Sequence, residues 1–405
     1  MNDMQKINSQ VMKNYNALMI LNTIRLQAPI SRTKLVELVG LTSASVINIT
    51  NEMLRTGLLV QTGLNDTPGQ GRKSVVLDVN PEAGYVLAFH LSTERMMACV
   101  ADMRRGLHGV VEHTISSIDR SGALLDAMID CMECSITASG VDRSKLLGIG
   151  LSLPGPLNTD KGIIINPPNF PGLVDVPIRN ILEERFGLPV CCDKETNDAV
   201  LAEYLLGSAA GYKTAFFLSL FRTGVGGGII ANGNVLHGFC DSAGEIGHTM
   251  VDSDGPKCSC GNYGCLEAMV SERAILHQVR RLSQMQYLPG PETYDPRALT
   301  LEDVFRLSAE GDPVCEHVIK KAACYISIAL GNAISLYSPE LIVLGGTLPR
   351  MSPQLVELIR RKIAARPYPR HCSSIRVICS SFDNRTFLTG AAEQARNCFI
   401  GALLP

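Results

Sequence analysis

Apolar side chains recur at Val11, Tyr15, Leu18, Leu21 and Ile24, the spacing of one helix face, and the run stops near Ala28-Pro29. A second helix is expected over SRTKLVELV, with Ser31 as N-cap and Gly40 as the residue that ends it. A third, SASVINITNEMLRTG, begins at Thr42 or Ser43, turns Val46, Ile49 and Leu54 inward, and stops at Gly57. LLVQTG and SVVLDV then read as strands joined by LNDTPGQGRK, a hairpin with a flexible basic tip. Helix, glycine turn, helix and hairpin in this order predict a winged helix-turn-helix over residues 1–80.

Asn80-Pro81-Glu82 reads as a linker. YVLAFHLS, RMMACVAD and GVVEHTIS follow as consecutive strands, then an amphipathic helix from about Gly122 to Ser139 and a buried strand, LLGIGLSLPG. From Phe216 the pattern restarts: TAFFLSLFRTGVGGGIIANGNVLHG is again strand, glycine hairpin, strand. LIVLGGTLP is a late strand running into a glycine loop, and Leu282–Pro296 an irregular connection. A repeated strand-strand-strand-helix unit predicts two similar α/β lobes with a cleft between them, residues 84–199 and 200–405, the last helix able to pack on the first lobe.

Composition narrows the partners. The 405 residues carry 46% hydrophobic and 19% charged side chains and a formal charge of -2. That balance excludes a nucleic-acid surface spread over the whole chain but allows a small basic module. Residues 1–80 supply one, with eight basic and five acidic side chains. In the third helix Ser43, Ser45, Asn48 and Asn51 offer short donors and acceptors to base edges and phosphates, and Arg72 and Lys73 in the hairpin tip could hold phosphate or enter a minor groove. The polar N-terminus lacks a signal peptide's apolar core and no apolar run is long enough to span a bilayer, so a cytoplasmic protein with reduced thiols and no membrane insertion is expected.

The densest chemistry lies in GEIGHTMVDSDGPKCSCGNYGCLE, residues 244–267. His248, Cys258, Cys260 and Cys265 make the four soft donors of a tetrahedral structural zinc site, leaving no open position for a catalytic water. Glu245 and Glu267 bracket this loop, and Glu245 lies three residues before His248, on one face of a helical turn.

Ile30-Ser31-Arg32, Gly71-Arg72, LPGPLN at 153–158, GVGGGII at 224–230, GEIGH at 244–248 and CSCGNYGCLE at 258–267 together resemble the ROK family (repressors, open reading frames, kinases), and within it the sugar-responsive NagC/Mlc/XylR-type repressors. The resemblance covers nearly the whole chain and implies an actin-like, RNase H-like pair of lobes. It also implies a sugar or sugar-phosphate effector bound by Glu245, His248 and Glu267 with Asn169 reaching from the other lobe, and Ser31, Arg32, Thr42, Ser43, Ser45, Asn48, Arg72 and Lys73 on operator DNA. A homodimer or homotetramer would match a palindromic operator. A sugar-transporter protein is a further partner to consider.

Kinases of the family end their first strand in Asp-Ile-Gly-Gly-Thr, where small residues let backbone amides approach phosphate. Here the stretch is His90-Leu91-Ser92-Thr93-Glu94. Their catalytic Glu-Asn-Asp-Ala-Asn corresponds to Asp193-Lys194-Glu195-Thr196-Asn197, which puts Glu195 at the base position, with Asp198 as an alternative register. A glutamate there can still accept a sugar hydroxyl, so a binding role survives without catalysis. Gly224, Gly226, Gly227, Gly228, Gly345 and Gly346 read as hairpin and strand-helix turns that need positive φ, in preference to nucleotide contacts. The expectation is a non-enzymatic repressor with Zn2+ as structural cofactor. The alternatives are a DNA-tethered sugar kinase and a repressor sequestered by a transporter.

Overall fold

Residues 9–64, 75–115, 123–170, 172–222, 224–285, 295–368, 370–382 and 385–404 are described by a computed structural model of the protein. Helix α1 (Ser9–Gln27) buries Ala17, Ile20, Leu21 and Ile24, whereas Tyr15, expected on the same stripe, is 65% exposed. Ser31 closes the short strand β1 (Ile30–Ser31) and caps α2 (Arg32–Val39) by accepting from the Lys34 amide at 3.3 Å. Gly40 ends that helix in the left-handed region, φ 66°. Thr42, not Ser43, caps α3 (Ser43–Arg55), accepting from the Ser45 amide at 3.2 Å. Val46, Ile49, Thr50 and Met53 fill the inner face of α3; Leu54, expected there, is only half-buried because the 3.6-residue period carries Met53 over the core instead. Strands β2 (Leu59–Leu64) and β3 (Val75–Val79) pair antiparallel, and β1 adds to the far side of β3 in the order β1-β3-β2. The tip of this wing, residues 65–74 with Arg72 and Lys73, lies outside the described residues.

The first lobe continues with β4 (Tyr85–Leu91), β5 (Arg95–Asp102), β6 (Leu107–Thr114), α4 (Leu124–Ser139), β7 (Leu146–Leu153), a small ladder of β8 (Leu157–Asn158) and β9 (Ile163–Ile164), α5 (Ile178–Phe186) and β10 (Val190–Lys194). α6 (Glu195–Leu206) follows without a break. The second lobe holds β11 (Ala215–Leu220), β12 (Val225–Ala231), β13 (Asn234–Val235), α7 (Leu266–Val270), α8 (Glu272–Gln284), α9 (Leu301–Glu310), α10 (Pro313–Tyr337), β14 (Leu341–Gly345), α11 (Thr347–Met351), α12 (Pro353–Ala364) and β15 (Arg376–Cys379); α13 (Thr386–Phe399) follows, with a short 3-10 turn, Ile400–Leu403, after it.

The two main sheets run β10-β7-β4-β5-β6 and β15-β14-β11-β12-β13. In each, three antiparallel strands are extended on one side by two strands parallel to the first. The sequence repeat is therefore a repeat of topology. α6 and α13 pack on each other between the sheets, α6 against β11 and β12, α13 against β4, β7 and β10.

The winged helix is not a bead on a linker. Its core residues, from Ala17 to Val79, belong to one hydrophobic cluster with Val86, Ala88 and Met97 of the first lobe and Leu388, Ala391, Ala392 and Ala395 of α13. A charge triad is buried at this seam: Glu393 of α13 pairs with Arg25 of α1 on one side and with Arg396 on the other, all three at most 3% exposed. Arg25 also donates to Asn397 Oδ1 at 2.7 Å, and Arg396 to the Asp102 carbonyl at 2.7 Å. Burial alone would raise the Glu393 carboxyl, but Arg396 and Arg25 hold it below its usual value.

Removing one member of a buried pair strands the others. Glu393→Ala, which leaves two buried guanidinium groups facing a gap, should cost about 3–5 kcal/mol of stability in urea denaturation. A loss below about 1 kcal/mol would mean that water reaches this seam.

Candidate functional site

The lobes enclose a cleft of about 370 Å³, within the range of small-molecule pockets. Asn169, Glu195, Glu245, His248 and Glu267, expected at one site from positions spread over a hundred residues, all line it. The strand-to-helix junction of β10 and α6 aims Glu195 into the cleft floor. Burial, and then the nearby Glu245 carboxylate, push its carboxyl up to about 7. Asp198, the alternative register, is fully buried one turn further into α6, does not line the cleft, and is raised well above its usual value by burial.

Glu245 precedes a single 3-10 turn, Ile246–His248, that brings it and His248 to the same wall. Its Oε1 accepts from Lys194 Nζ at 2.7 Å, and the same ammonium donates to the Ala243 carbonyl at 2.7 Å. Lys194 was not anticipated as a site residue. The signal was present in the sequence, since Lys194 stands where the family kinases place the asparagine of Glu-Asn-Asp-Ala-Asn. Glu267, in the first turn of α7, accepts from the Val225 amide at 3.1 Å through Oε2 and from the Ser259 hydroxyl at 3.3 Å through Oε1. Asn169 is exposed on the opposite wall, in the Pro168-Asn169 turn.

The loop between Glu245 and Glu267 is itself a built structure. Val251 donates to Gly264, Cys258 to Asn262 and Leu266 to Thr249 across it, and Tyr325 of α10 ties Asp252 down at 2.7 Å. His248, Cys258, Cys260 and Cys265 converge there, their donor atoms all within 4.8 Å of one another. Cys260 and Cys265 sulfurs lie 3.7 Å apart, as do His248 Nδ1 and Cys258 Sγ. A zinc ion with bonds of about 2.3 Å to sulfur and 2.0–2.1 Å to nitrogen sets tetrahedral edges of about 3.6–3.8 Å, so the cluster fits that ion. Bound there, the metal would supply cross-linking charge to hold the loop; His248 Nε2 would stay available to the cleft.

Opposite Glu245 and Glu267, β4 ends unlike a phosphate loop. His90 is buried, stacked on Phe387 of α13 with ring centroids 4.8 Å apart, and burial pushes its imidazole down to about 3, so it is neutral. Ser92–Arg95 form a tight turn in which the Ser92 amide donates to Arg95 O at 2.9 Å and Ser92 Oγ accepts from the Arg95 amide at 3.2 Å. The Ser92 amide is thus spent inside the turn, and Glu94 adds a carboxylate to the cleft wall.

Most of the glycines opposite lack the left-handed geometry expected of them. None of Gly224, Gly226, Gly227, Gly228 and Gly345 has positive φ; only Gly346, at 98°, does. A Cβ on Gly226 would come within 2.8 Å of Thr196 Cγ2, and one on Gly228 would strike the Thr196 carbonyl. Close approach of α6 to β12, not turn geometry, requires glycine there.

On the winged helix, Ser43, Asn48 and Asn51 are exposed along α3, together with Ile47, which the sequence reading overlooked. Ser31 and Thr42 serve as helix caps, the Ser45 hydroxyl shares a hydrogen bond with Thr42 at 2.9 Å, and Arg32 donates to Asn51 Oδ1 at 2.5 Å. Among the described residues no helix is long and apolar enough to cross a membrane.

A winged helix fused to a two-lobed, actin-like domain with a Cys/His loop beside its cleft defines a class of sugar-binding proteins fitted for DNA. Residues 120–397 match the ROK family, and the chain belongs to it. A xylose repressor of Caldicellulosiruptor bescii is 29% identical over 387 residues, 95% of this chain and 96% of that protein. A glucokinase of Halalkalibacterium halodurans is 36% identical but spans 62% of this chain and 76% of its own length. Among solved structures, a ROK family transcriptional regulator described as a homologue of the Escherichia coli Mlc protein superimposes with a TM-score of 0.80 at 27% identity, covering 97% of this chain and 98% of that one.

Two outcomes test the site. Cys260→Ser should lower zinc content measured by elemental analysis of the purified protein to well under half an equivalent, because three donors hold the ion poorly; full occupancy would remove Cys260 from the ligand set. Glu195 should make stability fall as pH rises from about 4.5 to about 7, since the unfolded chain releases a proton that the folded one retains. Thermal melts of Glu195→Gln should therefore gain on the unsubstituted protein between pH 5 and pH 7.5, and a constant difference would show that Glu195 is well solvated.

Proposed function

We propose that this protein is a sugar-responsive transcriptional repressor controlling carbohydrate uptake or metabolism genes, without catalytic activity of its own. One observation carries the reading: the candidate hydroxyl-binding groups line the cleft together while the place that would cradle phosphate holds His90 at the end of β4 and Glu94 in the turn after it. The family's repressors, matched here over nearly their full length, support the same assignment. Operator DNA would be read by Ser43, Ser45 and Asn48 of α3, with Ser31, Arg32 and Thr42 at its approach and Arg72 and Lys73 in the wing. A structural Zn2+ on His248, Cys258, Cys260 and Cys265 would hold the loop that presents Glu245 and Glu267.

The response would travel through α13. Its first turn places Phe387 in the cleft, and two turns later Glu393 grips α1 of the winged helix. A sugar that binds the lobes differently in two arrangements would shift that helix and with it the DNA-reading face. A homodimer would present two such faces to a palindromic site.

The glucokinase relative favours the second reading, a kinase with an added DNA-binding domain. Fluorescence anisotropy on a fragment of the gene's own promoter, with and without sugars, and a coupled ATP assay on the same preparation separate the two. Glu267→Gln should weaken the sugar effect on operator binding at least tenfold while changing operator affinity less than twofold. Sugar phosphorylation faster than about 1 s⁻¹ would instead make the protein an enzyme.

A further inference from the structure

The cleft also bears on the charge of its effector. Glu94, Glu195, Glu245 and Glu267 all line it. Cations line it as well, but three of them carry acidic partners. Lys194, with a side chain only 4% exposed, spends its charge on Glu245 at 2.7 Å. Arg95 is bonded to Glu112 at 2.6 Å and lies 3.8 Å from Glu94. Arg222 donates to both oxygens of Glu272, at 3.0 and 3.1 Å, and pairs with Glu302 as well. Arg350 enters from α11 and donates to the Phe382 carbonyl at 2.5 Å. A zinc ion on His248 and the three cysteines would add no positive field, because three thiolates would outweigh a divalent ion by one charge.

A phosphate ester carries about -1.5 to -2 charges at neutral pH. Brought into this cleft it would meet the Glu94 carboxylate in a partly enclosed space where screening by salt is weak. The cations at Lys194, Arg95 and Arg222 could serve it only by abandoning carboxylates they already hold. A hydroxyl meets no such opposition: it donates to a carboxylate in either of these settings and leaves the ion pairs intact. We infer that the cleft takes an uncharged sugar of monosaccharide size and discriminates against the phosphate ester of the same sugar. The inference rests on the sugar-effector reading above and deepens it.

Isothermal titration of the full-length, zinc-loaded protein with xylose, glucose and N-acetylglucosamine, and with xylose 5-phosphate, glucose 6-phosphate and N-acetylglucosamine 6-phosphate, tests it. At least one uncharged sugar should bind, and its own phosphate ester should bind at least tenfold more weakly. A phosphate ester that binds as well as its parent sugar, or better, would overturn the inference and leave the sugar-effector reading standing. Binding by no member of the panel would overturn that reading and the inference with it. Glu94→Gln, which removes a carboxylate from the turn without touching the sugar-reading groups, should narrow the gap between sugar and ester at least threefold; an unchanged gap would overturn charge as its cause.

Discussion

Glu393 between Arg25 and Arg396 is the contact on which the rest of the molecule depends. Three ionised groups are taken out of water at the seam between the winged helix and the lobes, and such a cluster holds only while all its members are in place. Its consequence is mechanical. α13 cannot shift against α1 without uncovering charge, so the two helices move together or not at all. The apolar cluster that runs from Leu21 and Ile24 through Val86 to Ala391 enforces the same rule without charges. A small rigid helix thereby joins the DNA-reading end to the cleft, where its Phe387 lies against His90 and Phe221.

The cleft differs from a phosphate-binding kinase site in the charge and size of a few side chains. His90 takes the place of an acidic strand end and is held neutral by burial against Phe387. Glu94 sits in the adjoining turn and would repel the phosphates a kinase must hold. Glu195 keeps a carboxyl at the floor, but one whose proton is retained up to about pH 7. Beside them, α6 approaches β12 closely enough to require glycine at 226 and 228. The fold by itself does not dictate which chemistry its cleft performs.

Lys194 links these themes. It is buried on the first lobe, reaches across to Ala243 and Glu245 of the second, and satisfies a carboxylate that would otherwise stand beside Glu195. Asp241 accepts from the Thr159 amide and hydroxyl, and His237 bonds Asp193 at 2.7 Å, so the same loop is fastened to the first lobe at three points. These polar contacts join the lobes at the cleft, beside the packing of α6 on α13 between the sheets.

Much of this was legible in the residues alone. Periodicity located α1, α2 and α3, because an amphipathic stripe and its Ser31, Gly40 and Thr42 caps are local properties. The repeated strand pattern implied twin lobes, and four soft donors within eighteen residues implied a metal loop, since spacing and ligand type already limit what such a set can do. Tertiary structure decided what depends on distant partners. Tyr15 faces water because the buried face of α1 is the one that carries Ala17, Ile20, Leu21 and Ile24, and Tyr15 lies about 140° around the helix from Ile20. Gly226 and Gly228 are there for a helix more than twenty residues away in sequence, which no turn rule could reveal. The pairing of Lys194 with Glu245, and of Arg25 with Glu393 across 368 positions, exists only once the chain has folded back on itself. Charge on a side chain is written in the sequence; whether that charge is spent or available is settled by what the fold sets beside it.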